Sequence, residues 1–327
     1  MSNRLSGNAL AAAVLAVAFV VPQAAAQYPT KPVSIIVPFA AGGPTDTVAR
    51  VMAQAMTKPM GQTLLVENKP GAGGTIASEA VAKANPDGYT VLLHHIGMST
   101  APALYRTLRF SATDSFEPVG LIADVPMTLV ARPGFPAKDF KELLAYVKAN
   151  KAKVTYANAG IGSASHLCGM LFMSAIETDL TTVPYKGTGP AMNDLLGGQV
   201  DFMCDQTTNT TAQIKSGKIH AYGVTTKTRV ASLKDIPTLD EQGLKGFEVA
   251  VWHGFYTPKG TPKPVVDKLV AALQEALRDP TVKTRFNDLG TDPIAQDKAT
   301  PAALRAHLKA EIDKWTPLIK KAGIYAD

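Results

Sequence analysis

One short phrase occurs twice in this chain, and it constrains the fold more than any other feature. Val37-Pro38-Phe39-Ala40-Ala41-Gly42-Gly43-Pro44 and Val183-Pro184-Tyr185-Lys186-Gly187-Thr188-Gly189-Pro190 share the pattern V-P-aromatic-x-x-x-G-P. Each copy follows an apolar, β-branched run and precedes a helical pattern. The chain therefore builds strand, glycine-permissive loop and Pro-initiated helix twice over. Such a loop presents unpaired backbone N–H groups at the positive end of a helix dipole, which is where anions bind. Two copies so far apart in sequence predict two lobes that grip one anionic ligand.

Strand-like and helical runs alternate along the rest of the chain. Apolar strand patterns fall at 34–37, 63–66, 89–93, 119–122, 127–131, 154–157, 181–184, 200–204 and 220–224, with a mixed run at 249–256. Helical patterns fall at 44–57, 76–84, 139–149, 165–176, 190–196 and 210–216. This predicts an α/β fold with largely parallel sheets. Two helices close the chain, 264–278, which is expected to stop at Asp279-Pro280, and one begun by Thr300-Pro301, which Pro317 is expected to kink or end. No low-complexity linker separates the lobes, so ordered strands must carry the chain between them. The runs at 119–122 and 127–131 are the expected first crossing, and the return is expected between Val224 and Val249. The expected division is 27–126 and 250–327 for one lobe and 127–249 for the other.

Residues 1–26 read as a cleavable secretory signal. Arg4 is the positive start, 9–21 is an apolar core too short for a comfortable membrane span, and Ala24-Ala25-Ala26 is the cleavage site. Export to the periplasm is the expectation, rather than an uncleaved anchor. The net charge of +6 is spread without a dense basic run, which argues against nucleic acid as a partner. Cys168 and Cys204, the two cysteines, lie in apolar stretches. An exported chain can pair them, but buried thiols are the expected reading.

Candidate ligand residues follow from the loops. Phe39, Ala41, Gly42 and Asp46 belong to the first copy of the phrase and the helix start after it. Lys186, Gly187, Thr188, Gly189, Pro190 and Ala191 belong to the second. A third strand–loop–helix junction holds Ser163, Ala164, Ser165 and His166, with a serine placed to cap the helix. The polar stretch with Asp205 and Thr207 follows a strand, where α/β sheets bind ligands. Adjacent residues in a strand face opposite ways, so at most one of His94 and His95 enters a cleft, and His95 is the candidate.

Enzyme readings fail on spacing. Gly160-x-Gly162-x-x-Ser165 misses the dinucleotide fingerprint at its third position and lacks the acid after the next strand. Ser163 and His166 lack the G-x-S-x-G elbow of a hydrolase. The histidines, His253 included, have no metal-ligand spacing. No catalytic residue, cofactor or metal is expected.

Further motifs carry a resemblance. Tyr28-Pro29 with Pro32, the run at 35–46 with Arg50, VENKPGAGG at 66–74, PDGYT at 86–90, VPYKGTGPAMNDLLGGQVD at 183–201, IPTLDEQG at 236–243, and Trp252, Gly254, Pro258 and Gly260-Thr261-Pro262 occur in one order. Together they make the mature chain similar to the Bug (TctC-type) extracytoplasmic solute receptors of tripartite tricarboxylate transporters. That resemblance implies a type II periplasmic-binding fold of two α/β lobes with a hinge and cleft. It also implies a ligand carboxylate held by the loops 39–46 and 187–191, the loop 163–165 at its far end, and delivery to membrane subunits of a transporter. Small organic acids are the implied ligands. The unusual stretches 94–100 and 205–210 point to a dicarboxylate, with an aromatic one of terephthalate type as a guess. A sensor subunit for the same ligand class stays open as an alternative, and monomer is the expected state.

Overall fold

The computed structural model describes residues 28–323, 325 and 326. The expected signal peptide, 1–26, lies outside the described residues. Among them no helix is long and apolar enough to cross a membrane.

The first half of the sheet grows from alternating strands and helices. β1 (Val33–Val37) leads into α1 (Pro44–Met60), β2 (Leu64–Asn68), α2 (Thr75–Ala82), β3 (Thr90–His95) and α3 (Gly97–Leu104). β1 lies parallel to both β2 and β3. Val33, Ile35 and Val37 are fully buried, as a strand covered by helices requires. α1 starts where its sequence says: Gly43 is the N-cap, Pro44 the first helical residue, and Asp46 lies in the first turn.

β4 (Phe116–Ala131) is the spine. It covers both apolar runs at 119–122 and 127–131 in one continuous strand. Its first part pairs antiparallel with β9 (Ala250–Pro258), from Phe116↔Pro258 to Pro126↔Ala250. Its last part pairs antiparallel with β7 (Phe202–Gln206) and β8 (His220–Val224), beginning at Met127↔Gln206. The strand thus changes partners between Pro126 and Met127. The chain returns beside the same point, where Thr225 N donates to Met127 O and Val249 N to Thr225 O.

The second half contains α4 (Phe140–Ala149), β5 (Thr155–Asn158), α5 (Ala164–Ala175), β6 (Thr181–Pro184), α6 (Thr188–Leu196) and α7 (Thr207–Lys215). β5 runs parallel to β6 and β7. The strand order across the whole sheet is β2-β1-β3-β9-β4-β7-β5-β6, with β8 on β4. After β9, α8 (Lys263–Arg278), α9 (Pro280–Asp288) and α10 (Pro301–Ala322) pack back, α8 against α1 and α10 against α3 and β4.

Four expectations are corrected. The sheet is not largely parallel, because β4 and β9 run against their neighbours at its centre. Pro280 does not simply stop a helix: Asp279 caps a new one with its side chain, and Pro280 is its first residue. Pro317 does not end α10, which continues to Ala322. The two cysteines are not free thiols but a disulfide, with Cα atoms 6.1 Å apart. It closes a sequence separation of 36 residues between α5 and β7. A bridge of that span restricts the unfolded chain, and replacing both cysteines with alanine should cost about 2–4 kcal/mol. Urea unfolding with and without the bridge measures this. Equal midpoints would show that it adds nothing to stability.

Candidate functional site

The first jaw is built around Asp46. Its Oδ2 accepts from Gly42 N–H (3.0 Å) and Arg50 Nε–H (2.9 Å), and its Oδ1 accepts from Arg50 Nη2 and Asn68 Nδ2, both at 3.0 Å. Burial pushes this carboxyl up, but those hydrogen bonds and the Arg50 charge outweigh it and hold it below its ordinary value. Asp46 therefore folds the loop from behind. Asn68 Nδ2 also donates to Phe39 O, which ties the loop to β2. Gly42 sits at φ +79°, a left-handed turn that leaves the Gly43–Pro44 helix start pointing forward.

The second jaw meets the first backbone to backbone. Ala40 N donates to Lys186 O at 3.0 Å. A Cβ on Gly187 would sit 2.9 Å from Ala40 N, and one on Gly189 would sit 3.0 Å from Ala41 O and Gly42 C. Both glycines are thus needed for a close approach that any side chain obstructs. α6 begins at Thr188, two residues earlier than the Pro190 start read from sequence. Pro190 is tolerated because it still lies in the first turn. The Lys186 side chain is exposed, and Ala191 is core.

The third junction is fixed by its serines. Ser163 caps α5, accepting from His166 N–H (3.3 Å). Ser165 Oγ accepts from Ala159 N–H (2.8 Å) and lies 3.1 Å from Ser163 Oγ. Tyr156 O–H donates to Ser165 O (2.6 Å) and accepts from Cys204 N–H (3.1 Å), which links the start of α5 to the end of β7. Thr100 O–H crosses to Gly162 O at 3.1 Å, and Thr207 O–H crosses to Gly290 O at 2.9 Å.

These pieces enclose a cavity of ≈ 20 Å³, room for about one water. Phe39, His95, Ser163, Ala164, Ser165, Thr188 and Asp205 line it, all of them singled out from sequence. Ala41, Gly42, Asp46, His166, Lys186, Gly187, Gly189, Pro190, Ala191 and Thr207 do not; they shape the loops or the contacts around it. Pro44, Thr45, Ala159 and Gln206 line the cavity but were not singled out. Gln206 belongs to the polar stretch 205–210 read as a source of donors, but was not picked out within it because α7 was expected to start at Thr210, whereas it starts at Thr207 with Gln206 as N-cap. Four threonines weaken the helix signal there. They are buried, and Thr128 and Thr210 hydroxyls meet at 2.8 Å. The helix α3, also unread, begins two residues after His95.

The electrostatics come from backbone. The caps or first residues of α1, α5, α6 and α7 all line the one cavity, and no Lys or Arg does. Each helix start carries about half a positive charge. Three buried histidines cluster here, His95 in the wall itself and His94 and His253 beside it. His95 stacks on Phe39 (4.6 Å between rings) and its Nδ1 accepts from Gly97 N–H at 2.9 Å, which leaves the ring proton on Nε2. His94 Nδ1 accepts from His95 N–H, and its Nε2 faces Gly74. His253 pairs with His95 across the β3–β9 ladder, and both its nitrogens are buried without a well-formed hydrogen bond. Burial drives His94 and His253 down to about 3 and His166 to about 4, and holds His95 well below 6.5. Among the described residues, no three His, Cys, Asp or Glu side chains converge as a metal site.

Comparison with known proteins decides the family. Residues 48–324 match the model of the tripartite tricarboxylate transporter family receptor, TctC. The chain belongs to this family. A UPF0065 protein of Agrobacterium vitis, from the TAR-I ttuE-ttuC' intergenic region, is 54% identical over 95% of this chain and 91% of its own length. The periplasmic binding protein BugD superposes with a TM-score of 0.89 at 57% identity, covering 91% of this chain and 99% of BugD. MatC of Rhodopseudomonas palustris, solved with bound malate, gives 0.86 at 41% identity over 89% of this chain and all of MatC. A further R. palustris protein, solved with adipate, gives 0.86 at 32% identity over 91% and 99%. The TctC-family chain described here is therefore a solute-binding receptor of the periplasmic-binding fold, not an enzyme.

The buried histidines give a pH signature. Folded, they stay neutral well below 6.5, while in the unfolded chain they protonate near that value. The unfolded state then binds more protons, so stability falls as pH drops from 6.5 toward 4, by about 1.4 kcal/mol per pH unit for each histidine. Asp205, raised from 3.8 to about 6, and Asp124, also raised by burial, act in the opposite sense but are two groups against five histidines, the burial-lowered His307 included. The urea midpoint should fall steadily between pH 6.5 and about 4.5. A flat profile would mean that these rings are solvated or charged in the folded protein.

Proposed function

We propose that this receptor captures a dicarboxylate in the periplasm, closes on it, and presents it to the membrane subunits of a tripartite tricarboxylate transporter. The observation that carries the reading is the cavity itself: four helix starts converge on it, the two glycine loops meet beside it, and no side-chain cation lines it. Backbone N–H groups at helix starts are oriented donors that suit a carboxylate without a counter-charge. Their summed charge, about +2, suits two carboxylates better than one. Malate in MatC and adipate in the second R. palustris protein belong to the same chemical class.

Closure follows from size. A cavity that holds about one water is too small for a four-carbon diacid, so the jaws must part to admit it and re-form around it. The natural division is 27–126 with 250–327 against 127–249, hinged where β4 changes partners. A ligand touching both lobes favours the closed form by its contacts there.

A thermal-shift screen of the mature chain against mono-, di- and tricarboxylates, including malate, adipate and terephthalate, tests the reading. A dicarboxylate at a hundred times its Kd stabilises by about 2.7 kcal/mol and raises the midpoint. A shift with nucleotides or metal ions and with none of the acids would sink it. Jaw closure has its own test. Gly189→Ala places a methyl against the Ala41 carbonyl only when the loops meet, so it should weaken binding by about 1–3 kcal/mol and leave the apo unfolding midpoint little changed. Unaltered affinity would show that the bound form does not bring these loops together.

A further inference from the structure

Asp205 is out of place in a site built for anions. It is the penultimate residue of β7, lines the cavity and is 1% exposed. Its Oδ2 accepts from Asn209 Nδ2 at 2.6 Å, and the Thr188 hydroxyl and the Gln206 N–H also donate to it. No cation answers its charge. From β4 it faces Thr128 and, through it, Thr210. From β5 comes the Tyr156 phenol, whose buried hydroxyl is pushed far up and stays neutral. From α5 come Ser163, Ser165 and the neutral His166, and from β3 the neutral His95. α1 offers Pro44 and Thr45, while Asp46 behind them is spent on Arg50. Lys186, next to α6, is exposed.

Enclosing a dianion here puts three carboxyl groups around one small space against about +2 of helix charge. Like charges that close cannot all stay ionised in a desolvated site. The proton settles on the group hardest to keep charged. Burial already lifts Asp205 from 3.8 to about 6, against the hydrogen bonds it accepts, whereas the ligand carboxylates gain the helix starts as they enter. We infer that Asp205 is the proton-linked residue of the site, taking up one proton from solvent as a dicarboxylate is enclosed. In this step an O–H bond forms on an Asp205 oxygen, the proton comes from water or buffer, and no bond of ligand or protein breaks. The neutral acid also brings an O–H donor into a cavity where the Gln206 Oε1 acceptor is buried without a partner.

This inference rests on the dicarboxylate reading and can fail separately from it. Titration calorimetry of the mature receptor with malate and with adipate, at about pH 7.5 in buffers of different ionisation heat, counts protons directly. Uptake of about one proton per ligand is expected, with affinity falling about tenfold per pH unit above the pKa of the free site. Asp205→Asn should bind with no proton uptake and a flat pH profile. Tight binding by the unaltered receptor without proton uptake would overturn the inference and leave the function standing. Uptake that persists in Asp205→Asn would place the proton elsewhere and overturn it too. No binding of either acid at millimolar concentration would overturn the dicarboxylate reading, and this inference with it. The proton count on the unaltered protein stands even if the variant folds poorly.

Discussion

The convergence of the starts of α1, α5, α6 and α7 on one cavity is what the rest of this structure depends on. A helix cannot satisfy its first donors internally, and a helix start facing a closed cavity without a partner is unfavourable. Four such starts face one cavity of ≈ 20 Å³. The protein answers part of the demand itself: Ser163 caps α5, and Asp46 accepts from the loop before α1. In the proposed reading the donors left over are met by an acceptor-rich ligand, and selectivity for anions needs no lysine or arginine, whose long side chains would have to be ordered at an entropic cost.

Holding those starts together across two halves of a protein needs a frame common to both. β4 supplies it by pairing with β9 up to Pro126 and with β7 and β8 from Met127 on. The Cys168–Cys204 bridge and the Tyr156 hydroxyl fasten α5 to β7 within a few residues of Ser165 and Asp205. The far wall of the cavity is thereby cross-linked, whereas the two glycine loops meet through backbone, Ala40 N–H on Lys186 O. In the proposed reading a fastened wall and separable loops are the division that capture and release require.

Much of this was legible in the residues because glycine and proline act locally. Gly42, Gly43 and Pro44 determine a turn and a helix start through their own φ preferences, wherever the chain lies. The same holds for Ser163 as a cap, and the apolar runs within β4 kept their strand periodicity. What escaped reading depends on burial. α7 consists largely of threonines that score poorly as helix formers, yet their hydroxyls pair with Thr128 and with the Gly290 carbonyl once packed. Gln206 became a cavity residue only because that helix starts early. The disulfide was also hidden, since apolar surroundings fit a buried thiol and a buried bridge equally well. The antiparallel centre of the sheet arises from β9 returning some 120 residues after β4, a pairing that no local pattern announces.

The histidine cluster shows how the backbone strategy is sustained. His95 forms part of the cavity wall, and a charged ring there would compete with the helix starts for the ligand and would repel His94 and His253 behind it. Its Nδ1 is committed to the Gly97 N–H, its face lies on Phe39, and burial keeps it neutral. A neutral ring with its proton on Nε2 is a directional donor that adds no net charge. The wall thus supplies donors whose positions are fixed and whose charge does not vary near neutral pH. In such a setting the one group that can change its charge there is Asp205, so the charge balance of ligand binding falls on that single carboxyl.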